Sequence, residues 1–212
     1  MNRIDHIVIA AHTLAQGVDF VRDRLGVDIP AGGFHQTMGT HNHLMQLGNQ
    51  SYLEVIAIDP AAVAPRHPRW FGLDDALMRA ALEQQPRLIT WVMNTTDLAQ
   101  LAAQTGFDIG LPTMLARNNL RWEFALPDDG RLLANGLLPY CIQWHSAHPA
   151  HSMADPGCSL VKLSIYHNRI DWIRARLDSM NALDLVELIE IDDNQKPRLS
   201  ATIATPKGRV IL

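Results

Sequence analysis

The sequence predicts an α+β fold in which βαβββ modules repeat and form curved mixed sheets around a central cleft. Three segments of the 212-residue chain share one order of elements: an apolar strand, an amphipathic helix and further strand candidates. A string of a small residue, an apolar residue, Asp and an aliphatic residue follows each helix, beginning at Gly26, Gly106 and Ala182. Because these strings recur about every 80 residues, they indicate a repeated unit.

The first module, residues 1–59, begins with an Ile- and Val-rich strand at Ile4–Ala10. Apolar residues then recur at helical spacing over Leu14–Leu25, and Gly26 supplies a helix stop. Further strands are expected at Phe34–Gly39, His43–Leu47 and Tyr52–Ile58. Gly48-Asn49-Gln50 is typical of a hairpin turn between the last two strands, and Gly32-Gly33 is interpreted as a turn.

The second and third modules repeat this order. In residues 87–145 we expect a helix at Leu98–Thr105, capped by Asp97, and strands at Leu88–Met93, Leu111–Leu115, Leu120–Leu126 and Leu137–Trp144. In residues 158–212 we expect a helix at Ile170–Met180, capped by Asn168, and strands at Ser159–Tyr166, Leu185–Glu190, Arg198–Ala204 and Val210–Leu212.

The first two modules are expected to pair into one domain over residues 1–150, because a single curved sheet cannot bury both of its faces. A linker at residues 60–86 joins them; its early prolines exclude regular structure, whereas Leu73–Glu83 predicts one short helix. The third module, residues 158–212, would be unpaired. Its exposed strands predict either docking on the paired modules or a homodimer.

Composition narrows the classes of function. Hydrophobic residues make up 47% of the chain and charged residues 19%, with a net charge of -4, which is typical of a soluble globular protein. No clustered basic face for nucleic acid is visible, and the apolar N-terminal stretch is too short to span a membrane and lacks signal-peptide order. Cys141 and Cys158 are expected to be reduced core thiols. We therefore predict a cytoplasmic protein, and the candidate site residues predict a small-molecule ligand for it.

His6 and Glu54 are the main candidates for chemistry. Strand alternation places His6 on the same side as Val8 and Ala10. Glu54 lies within the apolar string Tyr52–Ala57, where a carboxylate is costly to bury without a partner. Taken singly, a hydrogen-bonded core histidine and a salt-bridged glutamate are the simpler interpretations. Together in one module, an imidazole and a carboxylate suit a divalent metal, and histidine favours zinc or a transition metal over calcium.

Several strings of the sequence resemble the glyoxalase-like subfamily of the vicinal-oxygen-chelate superfamily, which includes glyoxalases, bleomycin resistance proteins and extradiol dioxygenases. The resemblance covers roughly residues 3 to 150 and implies the paired-module fold, but not one reaction, because the superfamily hosts many chemistries. The strings are Asp5-His6-Ile7-Val8-Ile9-Ala10, Gly39-Thr40-His41-Asn42-His43, Tyr52-Leu53-Glu54-Val55-Ile56-Ala57, Leu138-Pro139-Tyr140-Cys141-Ile142-Gln143-Trp144 and His148-Pro149, together with Trp91.

The resemblance also implies where a metal would bind. In the metal-dependent members, ligands come from the first and fourth strands of one module and from the matching strands of its partner. His6 and Glu54 match the first pair. Opposite His6, the second module offers Thr90 or Ile89, and neither is a usual ligand. The implied metal site is therefore only half supported.

Other residues are candidates to complete the metal site. Gln143 could donate an amide oxygen opposite Glu54, and Cys141 a thiolate. His43 could join from the third strand, although a solvated loop explains His41 and His43 equally well. Asn42 is expected to fix a loop rather than contact substrate.

Four residues are predicted to bind substrate: Trp91, Gln143, Arg121 and His148. Trp91 would form a wall of the pocket if it points inward, although large aromatic residues more often belong to the core. Arg121 would suit a carboxylate-bearing substrate if its strand turns it inward. His148 would line the mouth of the cavity with Pro149, which excludes a regular helix that would align His148 with neighbouring histidines as metal ligands.

Two functions stay open from the sequence. The first is a metal-dependent lyase, isomerase or dioxygenase that uses Zn, Fe, Mn or Ni, with Glu54 moving a proton and with His6, His43 and Glu54 as metal ligands. The alternative is a metal-free protein of the same fold that binds or sequesters a small molecule. Nucleophile elbows, P-loops and dinucleotide-binding motifs are absent from the sequence.

Overall fold

A computed structural model describes residues 2–48 and 50–212 of the chain. The first module consists of β1 (Arg3–Ala10), α1 (Leu14–Leu25), β2 (Ala31–His35), β3 (Thr40–Gln46) and β4 (Tyr52–Ile58). The connecting segment holds a 3-10 turn at Trp70–Gly72 and α2 (Ala76–Gln84). The second module consists of β5 (Arg87–Asn94), α3 (Leu98–Gln104), β6 (Leu111–Arg117), β7 (Leu120–Leu126) and β8 (Tyr140–Trp144). The third consists of β9 (Ser159–His167), α4 (Ile170–Ser179), β10 (Glu187–Glu190), β11 (Arg198–Thr205) and β12 (Gly208–Ile211).

The first two modules share one eight-stranded sheet in the order β2-β3-β4-β1-β5-β8-β7-β6. Within each module the first and last strands are parallel neighbours, β1 with β4 and β5 with β8. The two modules meet where β1 and β5 pair antiparallel at the centre of the sheet. This arrangement confirms the predicted α+β fold of paired βαβββ modules.

The third module repeats the order of elements but not the strand pairing. Its four strands form a separate sheet in the order β10-β9-β11-β12. The strand after the helix, β10, lies directly beside β9, whereas β2 lies at the far edge of the first module. The third module therefore shares the βαβββ order of elements with the first two, but its strands are arranged in a different order in the sheet.

The third module packs on the helix-bearing face of the large sheet. Leu163 and Ile165 from β9 and Leu177 from α4 belong to the same buried core as Ile7 and Ile9 from β1. The module is thus docked on the first two within one chain. The boundaries at residues 150 and 158 stay predictions.

Local signals account for most helix ends. α1 has the predicted bounds; Thr13 and Gln16 form a capping box, and Gly26 ends the helix with a φ of 71°. Asp97 caps α3 as predicted. The helix predicted at Ile170–Met180 is found as α4, but its predicted cap is wrong, because Asn168 donates to Asp193 Oδ1 at 2.9 Å instead of capping the helix.

Two further predictions need correction or lie outside the described chain. The strand expected at Phe34–Gly39 is found at Ala31–His35, so that Gly32-Gly33 lies within β2 rather than in a turn. The hairpin turn expected at Gly48-Asn49-Gln50 includes Asn49, which lies outside the described residues. In the part of the chain that the structure describes, every helix is too short or too polar to cross a bilayer.

The segment between the modules fills much of the cleft. Its helix begins at Ala76, capped by Asp75, rather than at the predicted Leu73. Trp70, Phe71 and Leu73 pack in a second core against residues of the concave face of the large sheet, namely Val8, Ala10, Ile56, Val92, Phe124, Tyr140 and Ile142. The expected linker is therefore a core element that packs into the cleft.

Because the third module shares its core with the first two, truncating a side chain in β9 should destabilise the whole chain. Ile165 is fully buried, and Ile165→Ala is expected to lower the free energy of unfolding by about 2–5 kcal/mol. Val161 lies in the same strand with 45% of its surface exposed, so Val161→Ala should change it by less than about 1 kcal/mol. Urea denaturation checks both. A separate early transition, with the main midpoint unchanged, would show that the third module unfolds independently.

Candidate functional site

His6 and Glu54 meet on the concave face of the large sheet. β1 and β4 run parallel, with His6 beside Tyr52 and Val8 beside Glu54. Both side chains are buried, at 4% and 5% exposure, and His6 Nε2 lies 3.6 Å from Glu54 Oε2. The His6 ring also stacks on Tyr52, with ring centroids 4.5 Å apart. The register of two parallel strands thus brings the imidazole and the carboxylate together.

A bulge in β1 brings Asp5 to the same face. Ile4 pairs with Met93 and His6 with Val92, so Asp5 is an extra residue in its strand. In a bulge of this kind the strict alternation of side chains is broken. Asp5 Oδ1 consequently accepts a hydrogen bond from His6 Nδ1 at 2.7 Å, which turns His6 Nε2 toward Glu54.

The second oxygen of Asp5 is surrounded by donors from the second module. Asp5 Oδ2 accepts from Asn94 Nδ2 at 3.0 Å, Trp144 Nε1 at 2.8 Å and His148 Nε2 at 3.0 Å. Burial alone would raise the pKa of Asp5, but the hydrogen bonds from His148 and His6 outweigh burial and hold this pKa well below its ordinary value. Asp5 is therefore an ionised carboxylate in the interior.

Asn42 fixes the other end of the pair. Its Oδ1 accepts from the backbone N–H of Gly33 at 2.9 Å, so its Nδ2 donates to Glu54 Oε1 at 2.6 Å. A Cβ at Gly32 would collide with Asn42 Oδ1, which explains the glycine there. One oxygen of Glu54 is thus occupied, and the other faces His6.

Arg117 connects the second module to this network. Its Nη1 lies 3.2 Å from His35 Nε2 and 3.4 Å from Asn42 Oδ1. Burial, reinforced by the Arg117 guanidinium, lowers the pKa of His35 to about 3. His35 is therefore neutral: its Nε2 accepts from Arg117, and its Nδ1 donates to Thr40 Oγ1 at 3.0 Å.

The space between these groups is small. A cavity of about 40 Å³ is lined by His6, Glu54, Asn42, His35 and Arg117, and by aromatic side chains, which are Tyr52, Trp70, Phe71, Trp122, Phe124 and Trp144. This volume suits a few atoms of a ligand. A groove of about 590 Å³ adjoins it and shares His35, Trp70, Arg117 and Trp122 as lining residues.

The donors at this site do not fit a metal ion with three protein ligands, as catalytic zinc or a facial iron site requires. Within residues 2–48 and 50–212, no three His, Cys, Asp or Glu residues are placed to hold a metal. The strand register makes Thr90 and Tyr140 the second-module counterparts of His6 and Glu54. The Tyr140 hydroxyl already donates to the Arg131 carbonyl at 2.6 Å.

Two neighbouring groups also oppose a metal ion. Asn42 presents its amide nitrogen, not its oxygen, to Glu54. Arg117 places a positive charge beside the cavity, and like charges in a site of low dielectric repel strongly. The predicted use of Zn, Fe, Mn or Ni therefore finds no support in these residues.

Three predicted site residues lie on the other face of the sheet, because alternating side chains in β3, β5 and β8 turn them away. His43 Nδ1 bonds to the Ile29 carbonyl at 2.7 Å. Gln143 Oε1 accepts from the backbone of Leu98 at 2.8 Å. Trp91 is fully buried in the core under the helices. His43 as a metal ligand, and Trp91 and Gln143 as substrate contacts, are thus corrected. Cys141 shares the face of Gln143, and burial strongly raises the pKa of its thiol.

The remaining two predicted residues also take other roles. Arg121 is exposed, since Trp122 and Phe124 are the residues of β7 that line the cavity. His148 is buried and bonds to Asp5 rather than lining the cavity, so it is a positioning residue. His148 Nδ1 accepts from the backbone of Ala150 at 3.3 Å, which leaves Nε2–H to donate to Asp5.

Sequence reasoning missed Asp5, Arg117 and Trp70. Strict alternation of side chains would put Asp5 and His6 on opposite faces of the sheet. Asp5 was missed because the sequence does not reveal the bulge that brings both to one face. Arg117 ends β6 at a hairpin whose facing residues depend on register, which strand patterns alone do not specify. Trp70 belongs to a proline-rich segment that the sequence predicts to be a linker. The adjacent aromatic residues Trp70 and Phe71 were the sequence signal that this segment is buried.

Replacing the Asp5 carboxylate tests its place in this network. Asp5→Asn is expected to lower the free energy of unfolding at pH 7 by about 2–4 kcal/mol, because buried donors lose a charged acceptor. The folded-state pKa is depressed, so this stabilisation is present above the unfolded pKa of about 3.9 and is lost as the pH falls.

Urea denaturation between about pH 7 and pH 3 measures this effect. The gap between wild type and Asp5→Asn should narrow toward acid, and the exposed Asp23→Asn control should match wild type throughout. A gap that stays constant or widens toward acid would contradict an ionised Asp5.

Comparisons with known proteins agree with the fold. The glyoxalase-like domain family matches residues 4–181, further along the chain than the strings seen in the sequence. A search of curated proteins finds no match. A hypothetical protein from Staphylococcus aureus has a similar structure, with a TM-score of 0.59, 13% identity, and coverage of 100% of this chain and 84% of that chain. At this identity the likeness shows the fold alone.

Two further solved structures are more distant. Methylmalonyl-CoA epimerase from Mycobacterium tuberculosis has a TM-score of 0.41 and 16% identity over 68% of this chain and 88% of that chain. A mutant of 4-hydroxymandelate synthase from Streptomyces coelicolor has a TM-score of 0.49 and 16% identity over 99% of this chain and 62% of that chain. From the family match over residues 4–181, the chain belongs to the glyoxalase-like domain family.

Proposed function

We propose that this protein binds a small oxygenated metabolite between its paired modules and moves a proton at a carbon next to a carbonyl, as an isomerase or lyase that needs no metal. One observation carries the proposal. His6 Nε2 and Glu54 Oε2 face the same cavity 3.6 Å apart, and the opposite edge of each group is held by a hydrogen bond.

Each residue has a defined part in this reaction. Glu54 Oε2 takes the proton as the C–H bond breaks, and the electron pair moves to the carbonyl oxygen to form an enolate. His6, protonated at Nε2, donates to that oxygen. Asp5 stabilises the imidazolium and fixes its orientation, as an aspartate does for a catalytic histidine. Return of the proton to the opposite face of the same carbon restores the carbonyl and completes an isomerisation.

The surroundings favour this chemistry. Trp70, Phe71 and Phe124 cover the cavity with aromatic surface. Beside such aromatic surface, the interactions of fixed charges and dipoles are stronger than in water and need no reorganisation during reaction. Asp5 and Asn42 act as positioning residues, since Asp5 bonds to His6 and Asn42 bonds to Glu54, and neither takes part in the proton transfer.

A second candidate is a metal-free binding protein of the same fold. The observation that favours it is the small inner cavity of about 40 Å³ with its aromatic walls, which resembles a binding pocket as much as a reaction site. The cytoplasmic location and the homodimer predicted from the sequence stay predictions.

Solvent deuterium exchange separates the two candidates. Wild type is incubated in D₂O with small ketones and small 2-oxo acids, and NMR follows the loss of C–H signals next to the carbonyl. We expect exchange above the uncatalysed rate, lowered at least about 100-fold by His6→Gln and by Glu54→Gln. His43→Gln is the matched control, because His43 faces away from the cavity, and it should keep the wild-type rate.

The outcomes are distinct. Chelation should leave the rate unchanged; a rate abolished by EDTA and restored by Zn²⁺ or Mn²⁺ would establish a metal-dependent enzyme instead. Binding of these compounds without any exchange would favour the binding protein.

A further inference from the structure

Arg117 stands at the junction between the inner cavity and the outer groove, because it lines both. The inner cavity, about 40 Å³, holds a reacting group, whereas the groove, about 590 Å³, has the volume of a small-molecule site. A ligand that enters the groove and reaches His6 must therefore pass Arg117.

Arg117 forms no ion pair with the described residues of the protein. Its contacts are the neutral groups His35 Nε2 and Asn42 Oδ1. Arg22, Arg69 and Arg131 each pair with aspartates, but Arg117 has no carboxylate within 4.0 Å in the described chain. A half-buried guanidinium without an anion is costly, and its planar donors match a carboxylate in geometry.

Trp70 supplies an independent observation at the same junction. Its side chain is 5% exposed and lines both the cavity and the groove. Its Nε1–H is buried without an acceptor among the described residues. Such an unsatisfied donor costs free energy unless a ligand completes it. A guanidinium without an ion pair and a buried donor without an acceptor thus belong to two residues that line the same junction.

We propose that this junction binds the carboxylate of a small 2-oxo acid, with Arg117 as the charged partner and Trp70 Nε1–H as a further donor. The position of the reacting carbon rests on the proposed function. Asn42 links the two sites, since its Oδ1 accepts from Arg117 and its Nδ2 donates to Glu54. In this binding mode the carboxylate lies at Arg117 and the adjacent carbonyl lies beside His6, since both residues line the inner cavity.

The step balances without a further reactant. The C–H bond on the far side of the carbonyl breaks, the proton goes to Glu54 Oε2, and the electron pair forms an enolate that His6 Nε2–H stabilises. Reprotonation from Glu54 restores the 2-oxo acid. In D₂O the returned proton is a deuteron.

Two ligands that differ only in the carboxylate test the proposal. They are 4-methyl-2-oxopentanoate and 4-methylpentan-2-one, in which a methyl group replaces the carboxylate. Calorimetry is expected to show wild type binding the acid more tightly than the ketone. Arg117→Gln should weaken binding of the acid about 10- to 100-fold, and Trp70→Phe, which keeps an aromatic ring, about 3- to 10-fold. Neither change should affect the ketone.

Arg121→Gln is the matched control, because Arg121 lies in the same hairpin but is exposed; it should bind the acid as wild type does. Arg117→Lys keeps the charge and should retain part of the affinity, even if Arg117→Gln fails to fold. Equal affinity of wild type for both ligands, no binding of the acid, or an equal loss in Arg121→Gln would each overturn the proposal.

The carboxylate site and the proposed reaction fail separately. Glu54→Gln should abolish deuterium exchange and keep binding of the acid. Arg117-dependent binding without exchange in wild type would leave the carboxylate site standing and refute the reaction. If the ketone exchanges deuterium as fast as the acid does, and if Arg117→Gln changes neither rate, the carboxylate site would be refuted and the proposed reaction would stand.

Discussion

A single buried carboxylate, that of Asp5, joins the two modules at the place where the site forms. It lies on β1 of the first module, and its partners Asn94, Trp144 and His148 come from β5, β8 and the segment after β8. An ionised group in the interior is tolerated only when its hydrogen bonds are satisfied. The same bonds that satisfy Asp5 also leave one oxygen for His6. Pairing of the modules and orientation of the imidazole therefore have one physical cause.

The polar network continues from this carboxylate across the cleft. Asp5 holds His6, Asn42 holds Glu54, and Arg117 binds Asn42 from the opposite module. Negative charge is thus concentrated at one end and positive charge at the other, with the cavity between them. Such an arrangement suits an anionic ligand whose reacting carbon lies beside an acid–base pair, whereas the positive end opposes a divalent cation. The Trp70–Gly72 turn completes the site by covering it.

The sequence was sufficient for the fold, and it singled out His6 and Glu54 as candidates within one module. Strand and helix patterns predicted β1, α1 and β4 closely. The register of β1 with β4, which these patterns do not specify, brings the two side chains to one face. Strand alternation would have placed the side chains of His43 and Gln143 on the other face of the sheet, had the strand register been known. It failed at Asp5, where a one-residue bulge reverses alternation, and it could not see Trp70, because long-range packing rather than local propensity orders that segment. Residues from hairpin ends, such as Arg117, depend on how the sheet curls, which is a property of the whole sheet.

The central claim is that His6 Nδ1–H donates to Asp5. His6 Nε2 therefore faces the cavity, where it carries a proton instead of binding a metal ion. Nitrogen-15 NMR of protein labelled at histidine, with His6→Gln to assign the signals, measures this state directly during a zinc titration. In wild type we expect the chemical shift of a protonated, hydrogen-bonded His6 Nδ1, and in Asp5→Asn we expect this shift to change. One equivalent of Zn²⁺ should leave the His6 Nε2 signal unchanged. A neutral His6 carrying its proton on Nε2, or stoichiometric zinc binding at Nε2 that disappears in Glu54→Gln, would contradict the account.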